Sequence, residues 1–332
     1  MQIDVTDASA VGDARRKIVA FAEEIGLDKS RLGTIALAIT EMATNLIKHV
    51  GRGYLLVNRI SGREGDGLRI TSVDRGPGIA DVAKSLADGH STAGSMGSGL
   101  GSIKRLANAF EIYSIPGSGA LIGIEFWHSA RDQTANLPLE YSVVAEPVLG
   151  EPVSGDGWGS VSSHHHVTLM LVDGLGHGVM ASEAAREAER MLSVAKDSSL
   201  SAIISDTHDA LRKTRGAALA LARIDTSRGV LTFAGVGNIS ATLITPSGSR
   251  SLVSHNGTVG QNVMRIQEFT YPWTADSLLI LHSDGLATRW DLQRYPGLHS
   301  KNPSLIAALL HRDFNRGRDD VTVLVARTRR RE

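Results

Sequence analysis

The sequence contains no cysteine among its 332 residues. This absence excludes disulfide bonds, zinc sites built on thiolates, and every phosphatase or protease whose nucleophile is a cysteine. Any hydrolytic chemistry must therefore use oxygen or nitrogen ligands.

The sequence also lacks an excess of charge of either sign, since 35 basic residues face 35 acidic ones. Bulk electrostatics therefore give no indication of a nucleic-acid or membrane binder. No apolar run approaches the roughly 18 residues that span a bilayer, and the amino-terminal stretch MQIDVTDASAVGDARRK has no secretory signal pattern. We expect a cytoplasmic protein with neither nucleic acid nor membrane as its partner.

The apolar content, 42%, is sufficient for two domains with separate cores. The polar stretch at residues 129–140, SARDQTANLPLE, has no helical or strand period and predicts a linker. Residues 1–128 combine helical patterns, strands and a glycine-rich loop, which predicts an α/β sandwich. Residues 141–328 contain many short strand patterns and two helical stretches, which predicts mostly antiparallel sheets covered by helices.

Several aspartates of the second half stand at predicted strand ends or in glycine-rich turns. They are Asp156 in SGDGW, Asp173 in DGLGHG, Asp284 in HSDGL, and Asp319 with Asp320 in GRDDVTV. Acids and glycines also make ordinary turns, so any one of these motifs alone indicates little. Strand ends can converge, however, and clustered carboxylates suit Mg²⁺ or Mn²⁺. Two such ions about 4 Å apart could bind a phosphate and activate a bridging water, and the bare backbone at Gly174 would let its carbonyl reach a metal.

The ordered motifs SGDGW, VDGLGHG, FAGVGN, LHSDGL and RDDVTVLV resemble the metal-dependent serine/threonine phosphatases of the PPM type, especially the SpoIIE branch and its small RsbX-like members. The fold implied is an α-β-β-α sandwich with two antiparallel sheets. The resemblance implies that Asp173 bridges both metals, that Gly174 offers its carbonyl, and that Asp284 and Asp319 each hold one metal. Asp156 would act through the metal shell.

Three further features of the second half are assigned less directly. Asp320 occupies a place where many relatives have asparagine, and Asn238 in GVGN is expected to be structural and near the site. The run His164 to His166 could suggest a metal cluster, but consecutive side chains on an extended segment point in alternating directions. We expect a solvated loop there.

The first half carries a different set of motifs. In TEMATNLIKH, Glu41 and Asn45 are four residues apart and lie on one face of a predicted helix. VDRGPGI supplies an aspartate at a strand end, followed by turn glycines. SMGSGLGSIKRLAN opens another helix, whose amino-terminal N–H groups could receive phosphate oxygens.

These motifs, in this order, resemble the Bergerat ATP fold of the GHKL superfamily, and in particular the small serine/threonine kinases of the anti-sigma and RsbT switch type. The resemblance implies binding of ATP with Mg²⁺. The implied roles are magnesium ligation by Asn45, a hydrogen bond from the adenine amino group to Asp74, shaping of the base pocket by Gly76 and Gly78, coverage of the phosphates by Gly97, Gly99, Leu100 and Gly101, and general-base action by Glu41. Residues 88–96 would form a mobile lid. Relatives usually have Gly-Thr where this chain has Gly119 and Ala120, and loss of that hydroxyl could weaken adenine binding.

Two functions remain open at this point. The favoured one is a bifunctional enzyme that phosphorylates a regulatory partner and also removes phosphate from that partner or a related one. The alternative is a phosphatase with an attached ATP-binding module that docks a partner without transferring phosphate. By analogy the partner would be a STAS-domain protein, of the anti-anti-sigma or stressosome type, in a sigma-factor cascade.

Overall fold

Apolar residues recur at helical spacing along two amino-terminal segments, and both segments are helices in the computed structural model. The structure describes residues 1–61, 66–86, 99–128, 139–163, 166–195, 197–263 and 265–329. It divides into two units, one of Met1–Leu137 with Ser300–Leu309 and the other of Pro138–His299 with Leu310–Glu332.

The first unit packs helices on an antiparallel sheet. Its helices are α1 (Ala8–Glu24), α2 (Lys29–His49), α3 (Val82–Leu86) and α4 (Leu100–Leu106). Its strands are β1 (Gln2–Val5), β2 (Gly53–Ser61), β3 (Asp66–Val73), β4 (Ala109–Ser114) and β5 (Ala120–Phe126), in the order β1-β2-β3-β5-β4. Helix α1 begins at Ala8 because the Asp7 carboxylate accepts hydrogen bonds from the Ser9 and Ala10 N–H groups and caps the helix.

The core of the first unit lies between helices α1 and α2 and one face of the sheet. Ile18 of α1 and Ile39 of α2 are fully buried there, together with Ile70 and Phe126 from the strands. The buried strand residues alternate with residues of the other face, as the two-residue period of a strand requires. This packing fixes the orientation of α2, so that the face opposite its apolar stripe points away from the core.

The second unit contains two sheets and their covering helices. Its strands are β6 (Leu139–Glu146), β7 (Asp156–Ser162), β8 (Val167–Gly174), β9 (Ala217–Asp225), β10 (Val230–Val236), β11 (Ser240–Thr245), β12 (Gly248–Ser251), β13 (Gly257–Thr258), β14 (Asn262–Val263), β15 (Phe269–Pro272), β16 (Leu278–His282) and β17 (Val321–Thr328). Its helices α5 and α6 are Val179–Val194 and Leu200–Ala210. Helix α7 (Pro303–Phe314) is divided between the units, since its residues up to Leu309 belong to the first unit and the rest to the second. The sheets have the orders β15-β10-β9-β8-β7 and β12-β11-β16-β17-β6, and β13 pairs with β14.

Strand β8 is apolar at consecutive positions, without the alternation of apolar and polar residues that a strand buried on one face has. Leu169 and Leu171 face the core between the two sheets, whereas Met170 and Val172 belong to the core beneath α5 and α6. Both faces of the strand are therefore buried, and its carboxyl end reaches the rim of the sandwich at Asp173.

The predicted linker, 129–140, lies mostly outside the described residues. Its last two residues, Leu139 and Glu140, belong to β6 and pair with Thr328 and Arg327 of β17. Leu139 is almost fully buried, so tertiary packing extends the strand into a stretch whose composition reads as polar. Across the described ranges, none of the helices combines the length and the apolar composition that a membrane crossing requires.

Replacement of Phe233 tests the core between the sheets. Phe233→Ala removes a fully buried ring and should lower the free energy of unfolding by about 3–5 kcal/mol. Val253→Ala, at an exposed position, is the control and should change it by less than about 0.5 kcal/mol. Urea denaturation of the full chain followed by circular dichroism measures both, and equal midpoints for the two variants would contradict the assignment of this core.

Candidate active sites

Asp156 and Asp173 stand side by side at the rim of the second unit. Asp156 begins β7, Asp173 is the last residue but one of β8, before Gly174, and the two aspartates are directly opposite each other in the antiparallel register. Residues paired in this way place their side chains on the same face of the sheet. The fold thus brings together two of the predicted metal-site carboxylates, and it buries Asp156.

A serine from the other sheet holds Asp156. The Ser283 hydroxyl donates a hydrogen bond of 2.6 Å to Asp156 Oδ2, and Ser283 Oγ accepts one of 2.9 Å from the Thr322 N–H. Sequence reasoning missed Ser283, although it directly precedes Asp284 in the HSDG motif. Its role depends on the proximity of β7, β16 and β17 in space.

Asp284 is held from one side by an amide. Asn238 Nδ2 donates a hydrogen bond of 2.8 Å to Asp284 Oδ2, so Asn238 lies beside the site, as its sequence motif predicted. Burial raises the pKa of Asp284, and the Asp319 charge raises it further, whereas the Arg316 guanidinium and the Asn238 hydrogen bond lower it.

Asp319 and Asp320 have different surroundings. Asp319 is exposed and accepts a hydrogen bond of 2.9 Å from the Asp320 N–H. Asp320 is only 3% exposed, and its two carboxylate oxygens accept hydrogen bonds from the N–H groups of Val148, at 2.7 Å, and Gly155, at 2.6 Å. An asparagine would direct an NH₂ group at one of those donors. Asp320 therefore fixes the segment that leads into Asp156.

The carboxylates also act on one another. Burial, together with the charges of neighbouring aspartates, raises the pKa of Asp156 to about 7 and that of Asp173 to about 8. A cluster of this kind keeps protons unless cations neutralise it. In the part of the chain that the structure describes, no three His, Asp or Glu side chains are arranged as ligands of one metal ion. The donor chemistry of the cluster, which is carboxylate oxygen throughout, nevertheless fits Mg²⁺ or Mn²⁺.

The glycines of DGLGHG are explained by packing as well as by access to the backbone. A Cβ at Gly174 would collide with the Ala181 carbonyl of α5, so only glycine permits this close approach of strand and helix. Gly176 and Gly178 have φ angles of +89° and +72°, a region that favours glycine.

In the run His164 to His166, the first two histidines lie outside the described residues, and His166 Nδ1 is 3.2 Å from Ser163 Oγ.

The first unit contains a cavity of about 510 Å³. Among the predicted residues, it is lined by Glu41, Asn45, Asp74, Gly78, Gly99 and Leu100. Gly76 and Gly101 do not line it, and Gly97 and the predicted lid, 88–96, lie outside the described residues. Lys48 and Lys84 also line the cavity. Lys48 could have been found from the sequence, since it is three residues beyond Asn45 on the same helix face.

The backbone of Ala120, which stands where relatives usually have threonine, supports Asp74. Its Oδ1 accepts hydrogen bonds from the N–H groups of Gly76, at 2.8 Å, and Ala120, at 3.2 Å, and its own N–H donates to the Ala120 carbonyl at 3.1 Å. Ser72, two residues earlier on the same strand, is buried and lines the same cavity. The Asp74 carboxylate is therefore fixed without a side-chain contribution from Ala120.

The turn after Asp74 depends on its glycines. Gly78 has a φ angle of +68°, and a Cβ there would collide with the Ile115 carbonyl. A Cβ at Gly76 would lie 2.7 Å from Val50 Cγ2. Both glycines are required by close packing, and the turn that they form borders the cavity.

Comparison with known proteins assigns both units. The family model of Stage II sporulation protein E (SpoIIE) matches residues 163–329, half of the chain. The chain belongs to the SpoIIE family. A second model, the histidine kinase-like ATPase domain, matches residues 5–122. The expected fold class, a Bergerat-type domain followed by a PPM-type phosphatase domain, is confirmed.

Two curated proteins of Bacillus subtilis (strain 168) are similar to separate parts of the chain. The serine/threonine-protein kinase RsbT is 37% identical over 106 residues, which cover 32% of this chain and 80% of RsbT. The phosphoserine phosphatase RsbX is 24% identical over 138 residues, which cover 41% of this chain and 69% of RsbX. The predicted resemblance to an RsbT-type kinase joined to a SpoIIE/RsbX-type phosphatase is thus confirmed.

Solved structures agree with the fold of the second unit. A chain from a study of the bacterial stressosome has a TM-score of 0.54 and 28% identity, and the match covers 57% of this chain and 99% of that one. RsbX in complex with magnesium has a TM-score of 0.51 and 21% identity, with coverages of 59% and 98%. At that identity the second match shows the fold alone.

The carboxylate cluster predicts an unusual dependence of stability on pH. Asp156 and Asp173 have native pKa values of about 7 and about 8, above the ordinary value of 3.8, so the folded state binds more protons than the unfolded state between these values. Stability of the metal-free protein should therefore fall as pH rises from 5 to 8. Thermal unfolding midpoints measured with a chelator should show this fall, Asp173→Asn should reduce it, and added Mg²⁺ should oppose it. Identical pH profiles for wild type and Asp173→Asn would contradict it.

Proposed function

We propose that the chain is a bifunctional signalling enzyme, with an ATP-dependent serine/threonine kinase in residues 1–128 and a metal-dependent phosphoserine/phosphothreonine phosphatase in residues 141–328. Residues 129–138, which precede β6, form the linker in this proposal, and the protein acts in the cytoplasm. The observation that carries the proposal is the presence of two separate candidate sites. One is the cavity bordered by Glu41, Asn45 and Asp74, and the other is the carboxylate cluster around Asp173.

In the phosphatase, Asp173, Asp284 and Asp319 would hold two Mg²⁺ or Mn²⁺ ions together with the Gly174 carbonyl. Asp156, opposite Asp173 in the same sheet, would act through the metal shell. Bound ions supply a water activated for attack on phosphorus and neutralise the phosphate charge. Ser283, Asn238 and Asp320 position the ligands, the first two by hydrogen bonds to carboxylates and the last through the segment before Asp156.

In the kinase, Glu41 takes the proton from the partner's serine or threonine hydroxyl as that oxygen attacks the γ-phosphorus of ATP, and ADP leaves. Asn45 would hold the magnesium ion, and Asp74 would accept a hydrogen bond from the adenine amino group. Gly78 shapes the base pocket, Gly76 allows the turn that leads to it, and Gly99 and Leu100 at the start of α4 would cover the phosphates. The cations Lys48 and Lys84, which line the cavity, can attract the anionic nucleotide.

The proposed partner is a STAS-domain protein of the anti-anti-sigma or stressosome type, in a cascade that controls a sigma factor. Its support is the similarity to RsbT and to RsbX, and the likeness to a chain from the stressosome study. Because both similarities occur in one chain, the two activities are proposed to act on one regulatory complex.

A second candidate function follows from Ala120. Without the hydroxyl usual at this position, the first unit could bind nucleotide weakly or dock a partner without phosphoryl transfer, and the chain would then be a phosphatase alone. Retention of Glu41 at the cavity favours the kinase, because binding of nucleotide needs no general base.

Asp173→Asn tests the phosphatase. The variant lacks the carboxylate placed to touch both ions, so hydrolysis of p-nitrophenyl phosphate and of a phosphoserine protein in Mn²⁺ or Mg²⁺ should fall below about 1% of wild type. Asp276→Asn, at an exposed position outside the cluster, is the matched control and should retain full activity. Undiminished hydrolysis by Asp173→Asn would exclude this site assignment.

Glu41→Gln and Asn45→Ala separate transfer from binding. Glu41→Gln should slow transfer of labelled phosphate from ATP to a STAS-domain protein at least about a hundredfold and leave the Kd for ATP nearly unchanged, because a base acts on the nucleophile's proton. Asn45→Ala should weaken magnesium-dependent ATP binding in calorimetry. Glu23→Gln, on the exposed face of α1, is the control. ATP binding by wild type without any transfer, on every STAS-domain protein offered, would favour the docking function instead.

A further inference from the structure

Two arginines flank the carboxylate cluster, each beside a glycine turn that follows one of its aspartates. A Cβ built on Gly176, in the turn after Asp173, would lie 2.9 Å from Arg215 Nη1. The Arg316 N–H donates a hydrogen bond of 2.9 Å to the carbonyl of Gly285, the residue after Asp284.

The backbone that carries Arg215 is fixed on both sides. The Gly216 carbonyl accepts a hydrogen bond of 3.0 Å from the Leu175 N–H, which continues the β8–β9 register beyond Asp173. The Gly216 N–H donates to Thr214 Oγ1 at 3.0 Å, and Gln261 Nε2 donates to the Arg215 carbonyl. These hydrogen bonds therefore fix the backbone from which the Arg215 side chain extends, next to the turn that contains Gly176.

Arg316 is anchored in a similar way. Leu286 and Asn315 form an antiparallel bridge, and the Gly317 N–H donates a hydrogen bond of 2.7 Å to Asn315 Oδ1. These contacts hold the chain on both sides of Arg316, whose backbone N–H donates to the carbonyl of the residue that follows Asp284.

The side chains of Arg215 and Arg316 are open to solvent. Both residues are exposed, and among the described residues neither side chain has an ion pair or a hydrogen bond. Other exposed arginines of this unit behave differently, since Arg190 pairs with Glu187 and Arg212 with Asp209. Anchored backbones and exposed guanidinium groups beside a carboxylate cluster point to a ligand with negative charge.

We propose that Arg215 and Arg316 bind the phosphoryl group of the substrate, each presenting its guanidinium to non-bridging phosphate oxygens at the cluster. The proposal rests on the phosphatase function proposed above. Arginine suits this task because its planar fork of donors matches phosphate oxygens in bidentate fashion and stays charged at any physiological pH.

The test is calorimetric binding of inorganic phosphate to the full chain in saturating Mg²⁺. Arg215→Ala and Arg316→Ala should each raise the Kd for phosphate by about tenfold, the loss expected when a charge-assisted hydrogen bond is removed. The corresponding Lys variants should lose less, since they keep the charge but lack the fork. Arg212→Ala is the matched control and should bind phosphate as wild type does. Binding of Mg²⁺, measured in parallel, should be the same in all variants.

The outcomes separate the two proposals. Unchanged phosphate affinity in both Ala variants, or a change that merely follows altered Mg²⁺ binding, overturns the role of the arginines even if wild type hydrolyses p-nitrophenyl phosphate. Phosphate binding that needs the arginines, in a wild type without any hydrolysis, supports the arginine site and contradicts the phosphatase function.

Discussion

Repulsion among carboxylates at the rim of the sandwich is the constraint on which the second unit depends. Asp156 and Asp173 are adjacent across a strand pair, the first buried and the second partly buried, so the folded chain holds like charges together at a cost in free energy. The two sheets and their apolar core provide the rigidity that this requires. Hydrogen bonds from Ser283 and Asn238 then orient individual carboxylates.

The sequence predicted local structure best where a side chain with a chemical role stands directly beside a turn. DGLGHG places an acid directly after an apolar strand and before glycines, and the structure has a strand end and two glycines with positive φ there. The spacing of Glu41 and Asn45 predicted that they share one helix face, and the resemblance to the Bergerat fold predicted that this face meets a nucleotide. Both residues line the cavity. Such signals are local, because a few neighbouring residues contain all the information.

Other features depend on partners that are distant along the chain. Asp320 binds N–H groups at Val148 and Gly155, and no spacing rule connects these positions. Helix α6 was not predicted, although Ser199 caps it and Ile203 packs beneath it, because its apolar pattern is short. The beginning of β6 was assigned to the linker because pairing with β17, and not composition, makes Leu139 part of a strand.

The position of β17 in its sheet affects how the second unit can form during translation. β17 lies between β16 and β6, so β6, the first strand of this unit, is at the sheet edge with β17 as its neighbour. A growing chain therefore exposes β6 without its hydrogen-bonding partner until almost the entire unit has left the ribosome. Asp320 emerges just before β17, and the segment around Val148 and Gly155 waits equally long for its anchor. The nascent chain thus cannot complete the carboxylate cluster until β17 has emerged.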